Sequence, residues 1–76
     1  MKLPLLSAKE IIKILTELGF QEIRQKGSHK YFRHPDGRTT VVPVHPGRDL
    51  GRGLLRQIIK EIDMSRKDFI ELYKKK

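Results

Sequence analysis

Seventy-six residues are too few for two independent cores, and a chain this short buries only about 60% of the surface its unfolded form exposes, so one domain over residues 1–76 is expected. With 37% hydrophobic and 34% charged residues the composition is globular rather than disordered; the absence of cysteine excludes disulfides and thiolate metal sites and points to a reducing cytoplasm. The formal net charge is +8, and residues 24–56 carry eight basic groups against only Asp36 and Asp49, a concentration that attracts polyanions.

Met1 to Ser7 holds one positive charge and a short apolar stretch, which Lys9 and Glu10 interrupt before a signal-peptide core forms. No apolar run approaches the roughly 20 residues needed to span a bilayer. Ser7-Ala8-Lys9-Glu10 has the S-x-x-E form of a capping box, in which each side chain satisfies a free backbone N–H at a helix start. The spacing predicts a helix from Ser7 to Leu18, with Ile11, Ile12, Leu15 and Leu18 as its apolar stripe and Gly19 as its stop.

Three strands follow, Phe20 to Lys26, His29 to His34 and Arg38 to Val44, the last rich in β-branched residues and edge-like because of Pro43. Pro35-Asp36-Gly37 suits a three-residue hairpin loop, a type I turn closed by a left-handed glycine. That loop sets a register in which Phe32 faces Thr40, Lys30 faces Val42 and His29 faces Pro43. Phe32, Val42 and Val44 then share the face that helices cover, while His29, Tyr31 and Arg33 share the other, with His45 one diagonal from His29, about 7–8 Å in backbone terms. A two-residue loop at Asp36-Gly37 would shift the pairing by one, but it would place Pro35, which has no N–H, in the ladder.

Pro46 to Gly53 reads as a glycine-rich loop leading directly into a second helix, with Leu54, Leu55, Ile58, Ile59 and Ile62 as its buried stripe. Ser65-Arg66-Lys67-Asp68 caps a short last helix containing Phe69, Ile70, Leu72 and Tyr73, ahead of the Lys74-Lys75-Lys76 run. The order α-β-β-β-α-α is an α+β sandwich with one sheet face open.

An open sheet face carrying Tyr31 and Arg33, with Arg24, Lys26 and Lys30 nearby, is a plausible platform for phosphates and unstacked bases. The bland alternative is that Tyr31 only shields hydrophobic surface. The glycines before the second helix, with Arg48 and Arg52, could present N–H groups to a phosphate, although the P-loop order is absent and a flexible connection explains them equally well. No basic amphipathic helix accompanies the charge, which favours nucleic acid over an anionic membrane.

Histidine is the side chain that can take and give a proton near neutrality. His34 is expected about 16 Å along the strand from His29, and the nine carboxylates are scattered, so neither a metal site nor a two-metal nuclease finds support. Ser28 and His29, as strand neighbours, point to opposite faces, which argues against a serine-histidine dyad. On residue type alone, a lone strand histidine has a surface or hydrogen-bonding role more often than a catalytic one.

Gly27-Ser28-His29, then Phe32, His34-Pro35, Val42-Pro43 with His45, and Gly53-Leu54-Leu55-Arg56-Gln57-Ile58 together resemble the HicA family of bacterial and archaeal toxins. The resemblance runs from about Ser7 to Ile70, and the ordered set is more specific than any piece. It implies a double-stranded-RNA-binding-domain-like fold, endoribonuclease activity on mRNA, and an antitoxin of the HicB type that masks the His29 face. The family's catalytic histidine is that of G-S-H, here His29. The RNA-binding set expected around it is Lys26, Ser28, Lys30, Tyr31, Arg33, His45, Arg48 and Arg52, with no metal, no cofactor and a monomeric free chain. Two rivals remain, a non-catalytic RNA-binding module using the same basic face and an adaptor that docks an acidic protein.

Overall fold

The computed structural model describes residues 3–75. Met1, Lys2 and Lys76, at the ends of the short apolar start and of the terminal lysine run, lie outside the described residues. The elements in order are β1 (Leu6–Ser7), α1 (Ala8–Glu17), β2 (Gln21–Lys26), β3 (His29–Arg33), β4 (Thr39–Pro43), β5 (Asp49–Leu50), α2 (Arg52–Glu61) and α3 (Arg66–Lys74). β2, β3 and β4 form an antiparallel sheet with β3 central, and β1 pairs with β5 in a separate two-stranded ribbon. This is the expected α+β, double-stranded-RNA-binding-domain-like arrangement of α-β-β-β-α with an extra C-terminal helix.

The capping box forms. Ser7 accepts the N–H of Glu10, and the Glu10 carboxylate accepts the N–H of Ser7 at 3.0 Å, so Ser7 is the cap and α1 starts one residue later than expected. At the other end Gly19, with φ +101°, closes a Schellman motif in which Gly19 N–H bonds Thr16 and Phe20 N–H bonds Leu15. The buried stripe is Ala8, Ile11, Ile14 and Leu15, with Ile12 and Leu18 only partly buried. Ile14 was not foreseen in that stripe. α2 buries Leu55, Ile58 and Ile59, and α3 buries Phe69 and Ile70.

The β3–β4 register is the expected one, pairing His29 with Pro43, Lys30 with Val42 and Phe32 with Thr40. Gly37 N–H bonds the His34 carbonyl and Gly37 has φ +100°, as the three-residue loop requires. Phe32 and Val42 are buried against the helices, as is Thr40, whose hydroxyl donates to Glu61 at 2.8 Å. Arg38 clasps the same end of the hairpin to α2: its guanidinium donates to the Ile62 carbonyl and to Asp36, and lies 5.1 Å from the Phe20 ring centre. The bond that Asp36 accepts from the Arg38 backbone N–H, helped by that guanidinium, holds its carboxyl below the usual aspartate range.

Three features depart from the expectation. Residues 45–53 are not all loop, because Asp49 and Leu50 pair with Ser7 and Leu6 and bury Leu50. Ser28 is not on a strand; with Gly27 it forms the two-residue turn of the β2–β3 hairpin, and Gly27, at φ +60°, takes the first central position as a type II′ turn demands. Finally, β2 carries a bulge between Glu22 and Arg24. The extra residue, Ile23, is 54% exposed, and the bulge resets the alternation so that Arg24 and Lys26, opposite Tyr31 and His29, both project from the open face.

Candidate nucleic-acid interface and catalytic histidine

The open face of the sheet is built from alternate residues of three strands. β3 contributes His29, Tyr31 and Arg33, β2 contributes Arg24 and Lys26 through its bulge, and β4 contributes Val41 and Pro43. His29, Lys26 and Arg33 are exposed, and Tyr31 is half-buried. The Arg24 guanidinium lies 4.5 Å from the Tyr31 ring centre, so the two form one composite platform, cationic above and aromatic below.

His29 stands at the hairpin mouth, first residue of β3, directly across from Lys26 on one side and Pro43 on the other. Its imidazole has no partner among the described residues. Both ring nitrogens are therefore open to a ligand, and an ammonium stands on the facing cross-strand position, where Cβ atoms are about 5 Å apart. The turn beneath it is braced, since the Gln25 amide donates to the Gly27 carbonyl at 3.1 Å and the Ser28 carbonyl accepts Val44 N–H at 2.6 Å. Ser28 stands in this turn and shares no hydrogen bond with His29 among the described residues, so the alternation expected of two strand neighbours does not apply to the pair.

The other expected contact residues divide. Lys30 has the parity of the covered face and ion-pairs with Glu22 at 3.4 Å. Arg52 donates through Nε to the Leu3 carbonyl at 2.9 Å, which commits it to the N-terminal segment. His45 and Arg48 are exposed and line a separate cleft beside the start of α1. Lys9, which nothing in its local sequence singles out, joins them because the β1–β5 ribbon brings Ser7 beside Asp49.

His34 is held quite differently from His29. Its Nε2 lies 3.1 Å from the Leu18 carbonyl, its Nδ1 accepts the Asp36 N–H at 3.1 Å, and its ring meets Phe20 edge-on at 5.1 Å. A carbonyl can only accept, so Nε2 is the donor there, while Nδ1 lies 3.1 Å from both the Asp36 N–H and the Asp36 carboxylate. Gly19 suits the place beside this ring: its φ of +101° is strained for any other residue, and a Cβ there would stand 3.0 Å from Nε2, so the ring would have to give way. Among the described residues no three His, Asp or Glu side chains come together as a metal site, and no helix is long and apolar enough to cross a membrane.

Residues 8–64 match the family model described as HicA toxin of bacterial toxin-antitoxin, three quarters of the chain. No curated protein matches it.

Proposed function

This chain belongs to the HicA toxin family, and from that premise we propose that it is the toxin of a type II toxin-antitoxin system, a metal-independent endoribonuclease that cleaves mRNA and so inhibits translation, with His29 as general acid/base. The observation that carries the reading is an unpartnered imidazole on an exposed cationic face. His29 takes the proton of a ribose 2′-hydroxyl; the 2′-oxygen attacks the adjacent phosphorus and the 5′-oxygen of the next nucleotide departs, protonated by a second group or by water. Lys26 and Arg33 stand on the same face to offset the negative charge of the phosphorane. Lys30, nearby in sequence, is engaged by Glu22 instead.

An antitoxin of the HicB type is the partner in this reading, covering the His29 face with acidic groups set against Arg24, Lys26 and Arg33. The free toxin is a monomer working in the cytoplasm, without a cofactor. The test compares RNA cleavage by the wild type and by His29→Ala in excess EDTA. The wild type should cleave despite the chelator, and the variant should be slower by about 10²–10⁴-fold. Equal rates, or activity abolished by EDTA, overturn the proposal; RNA bound but left intact by the wild type would favour the non-catalytic binding module.

A further inference from the structure

A cleft of about 480 Å³ opens between the start of α1 and the segment that follows β4, a size within the roughly 300–1,000 Å³ of small-ligand sites. Ala8, Val44 and Pro46 supply apolar wall, and Lys9, His45 and Arg48 stand around it. Two backbone ties give it shape. Arg48 N–H bonds the His45 carbonyl across the Pro46-Gly47 turn, and Ser7 pairs with Asp49 through the β1–β5 ribbon.

Its cations are uncommitted, as are several others on the surface, but here they gather on the wall of a concave site. Arg24 lies on Tyr31, Lys30 is paired with Glu22, Arg38 with Asp36 and Arg52 with Leu3. Lys9, His45 and Arg48 have no side-chain partner among the described residues, and Asp49 is the one acidic group on the lining. The helix start adds little, since its capping positions are already occupied by Ser7 and Glu10.

Position is the second observation. The bond from Val44 N–H to the Ser28 carbonyl extends the β3–β4 ladder one residue past the His29–Pro43 pair. His45 therefore leaves the sheet one diagonal from His29, about 7–8 Å in backbone terms. A polyanion crossing the open face at His29 meets the cleft next. Paired, stacked bases of a duplex cannot enter a concave site of this kind, whereas an unstacked nucleotide can place its base against apolar walls and its phosphate among cations.

We propose that this cleft is a nucleotide subsite, holding one unstacked nucleotide of single-stranded RNA beside the position attacked at His29, with Lys9 and Arg48 on its phosphate and His45 positioning it. The inference rests on the ribonuclease reading and narrows its substrate to RNA that is single-stranded at the cut.

The experiment measures binding of an uncleavable 2′-O-methyl hexanucleotide and of a blunt duplex of the same composition. The double variant Lys9→Ala with Arg48→Ala should bind the single strand about tenfold or more weakly, and its slope of log affinity against log salt should shrink by roughly 1.4, about 0.7 per charge. Lys60→Ala with Lys67→Ala, which removes the same charge from exposed positions on α2 and α3, should weaken binding less than about threefold. Amide resonances of Ala8, His45 and Gly47 in the wild-type protein should move on titration with the hexanucleotide.

Equal losses in the two double variants, an equal loss on the duplex, or stationary Ala8, His45 and Gly47 amides overturn the subsite. So does a Lys9/Arg48 variant that keeps RNA affinity but loses affinity for an acidic partner protein, which would make the cleft a protein dock. Because the probe cannot be cleaved, failure here leaves the His29→Ala cleavage result standing. Failure of that result in turn leaves binding in the cleft to be read separately.

Discussion

Two histidines five residues apart, on or beside the same strand, differ in what engages them. His34 is committed at both ring nitrogens and along one edge, to Leu18, Asp36 and Phe20. It ties the hairpin to the end of α1. His29 carries no such commitment among the described residues, so removing its ring takes away little structure. His34→Ala forfeits one part-buried hydrogen bond and an aromatic contact, each about 0.5–1.5 kcal/mol, and should cost about 1–3 kcal/mol in urea unfolding. His29→Ala should stay within about 0.5 kcal/mol of wild type, as exposed positions do. Comparable destabilisation by both substitutions would mean that His29 has a structural role which its exposure does not reveal.

At the scale of elements, local signals were legible and non-local ones were not. The capping box, the glycine stop after α1 and the Pro35-Asp36-Gly37 loop all act through backbone groups within a few residues, and from that loop the β3–β4 register and the outward face of His29, Tyr31 and Arg33 followed. The bulge in β2 left no trace because all six residues of that strand are exposed, so no alternation marks where a residue is inserted. The β1–β5 ribbon escaped for another reason, since two-residue strands have no period and their partners lie more than forty positions apart. With it went the cleft and the place of Lys9. The bond from Arg52 to a main-chain carbonyl 49 positions away is equally beyond local signals. The end of α2 offers a test of the local rules. Asp63 sits at φ +58° in a Schellman-type end, with its N–H on Lys60 and that of Met64 on Ile59, a conformation that costs an L-residue about 1–2 kcal/mol, partly offset by glycine's greater unfolded-state freedom. Asp63→Gly should therefore raise stability by about 0.5 kcal/mol, or roughly 2–4 °C in thermal midpoint. A fall would show that the aspartate side chain itself holds the turn.

Over the whole molecule, the positive charge and the core occupy opposite sides of the same sheet. Arg24, Lys26 and Arg33 project from one face, while Phe32 and Val42 seal the other against α1 and α2. The cationic face of the sheet is therefore backed by the core that the helices complete. α3 lies beyond the family match, which ends at residue 64, yet Phe69 is fully buried and Ile70 nearly so within the same core as Leu15 and Ile58. The C-terminal helix is thus part of the domain's foundation rather than an appendage. Phe69→Ala should cost about 3–5 kcal/mol, a large share of the 5–15 kcal/mol typical of small domains, and appear as a lowered urea midpoint with an unchanged slope. Because Phe69 lies on the layer opposite His29, RNA affinity per folded molecule should stay at the wild-type level where the variant remains folded. An unchanged midpoint would mean that residues 8–64 hold their core without α3; a lost affinity in folded protein would mean that α3 shapes the cationic face as well as supporting it.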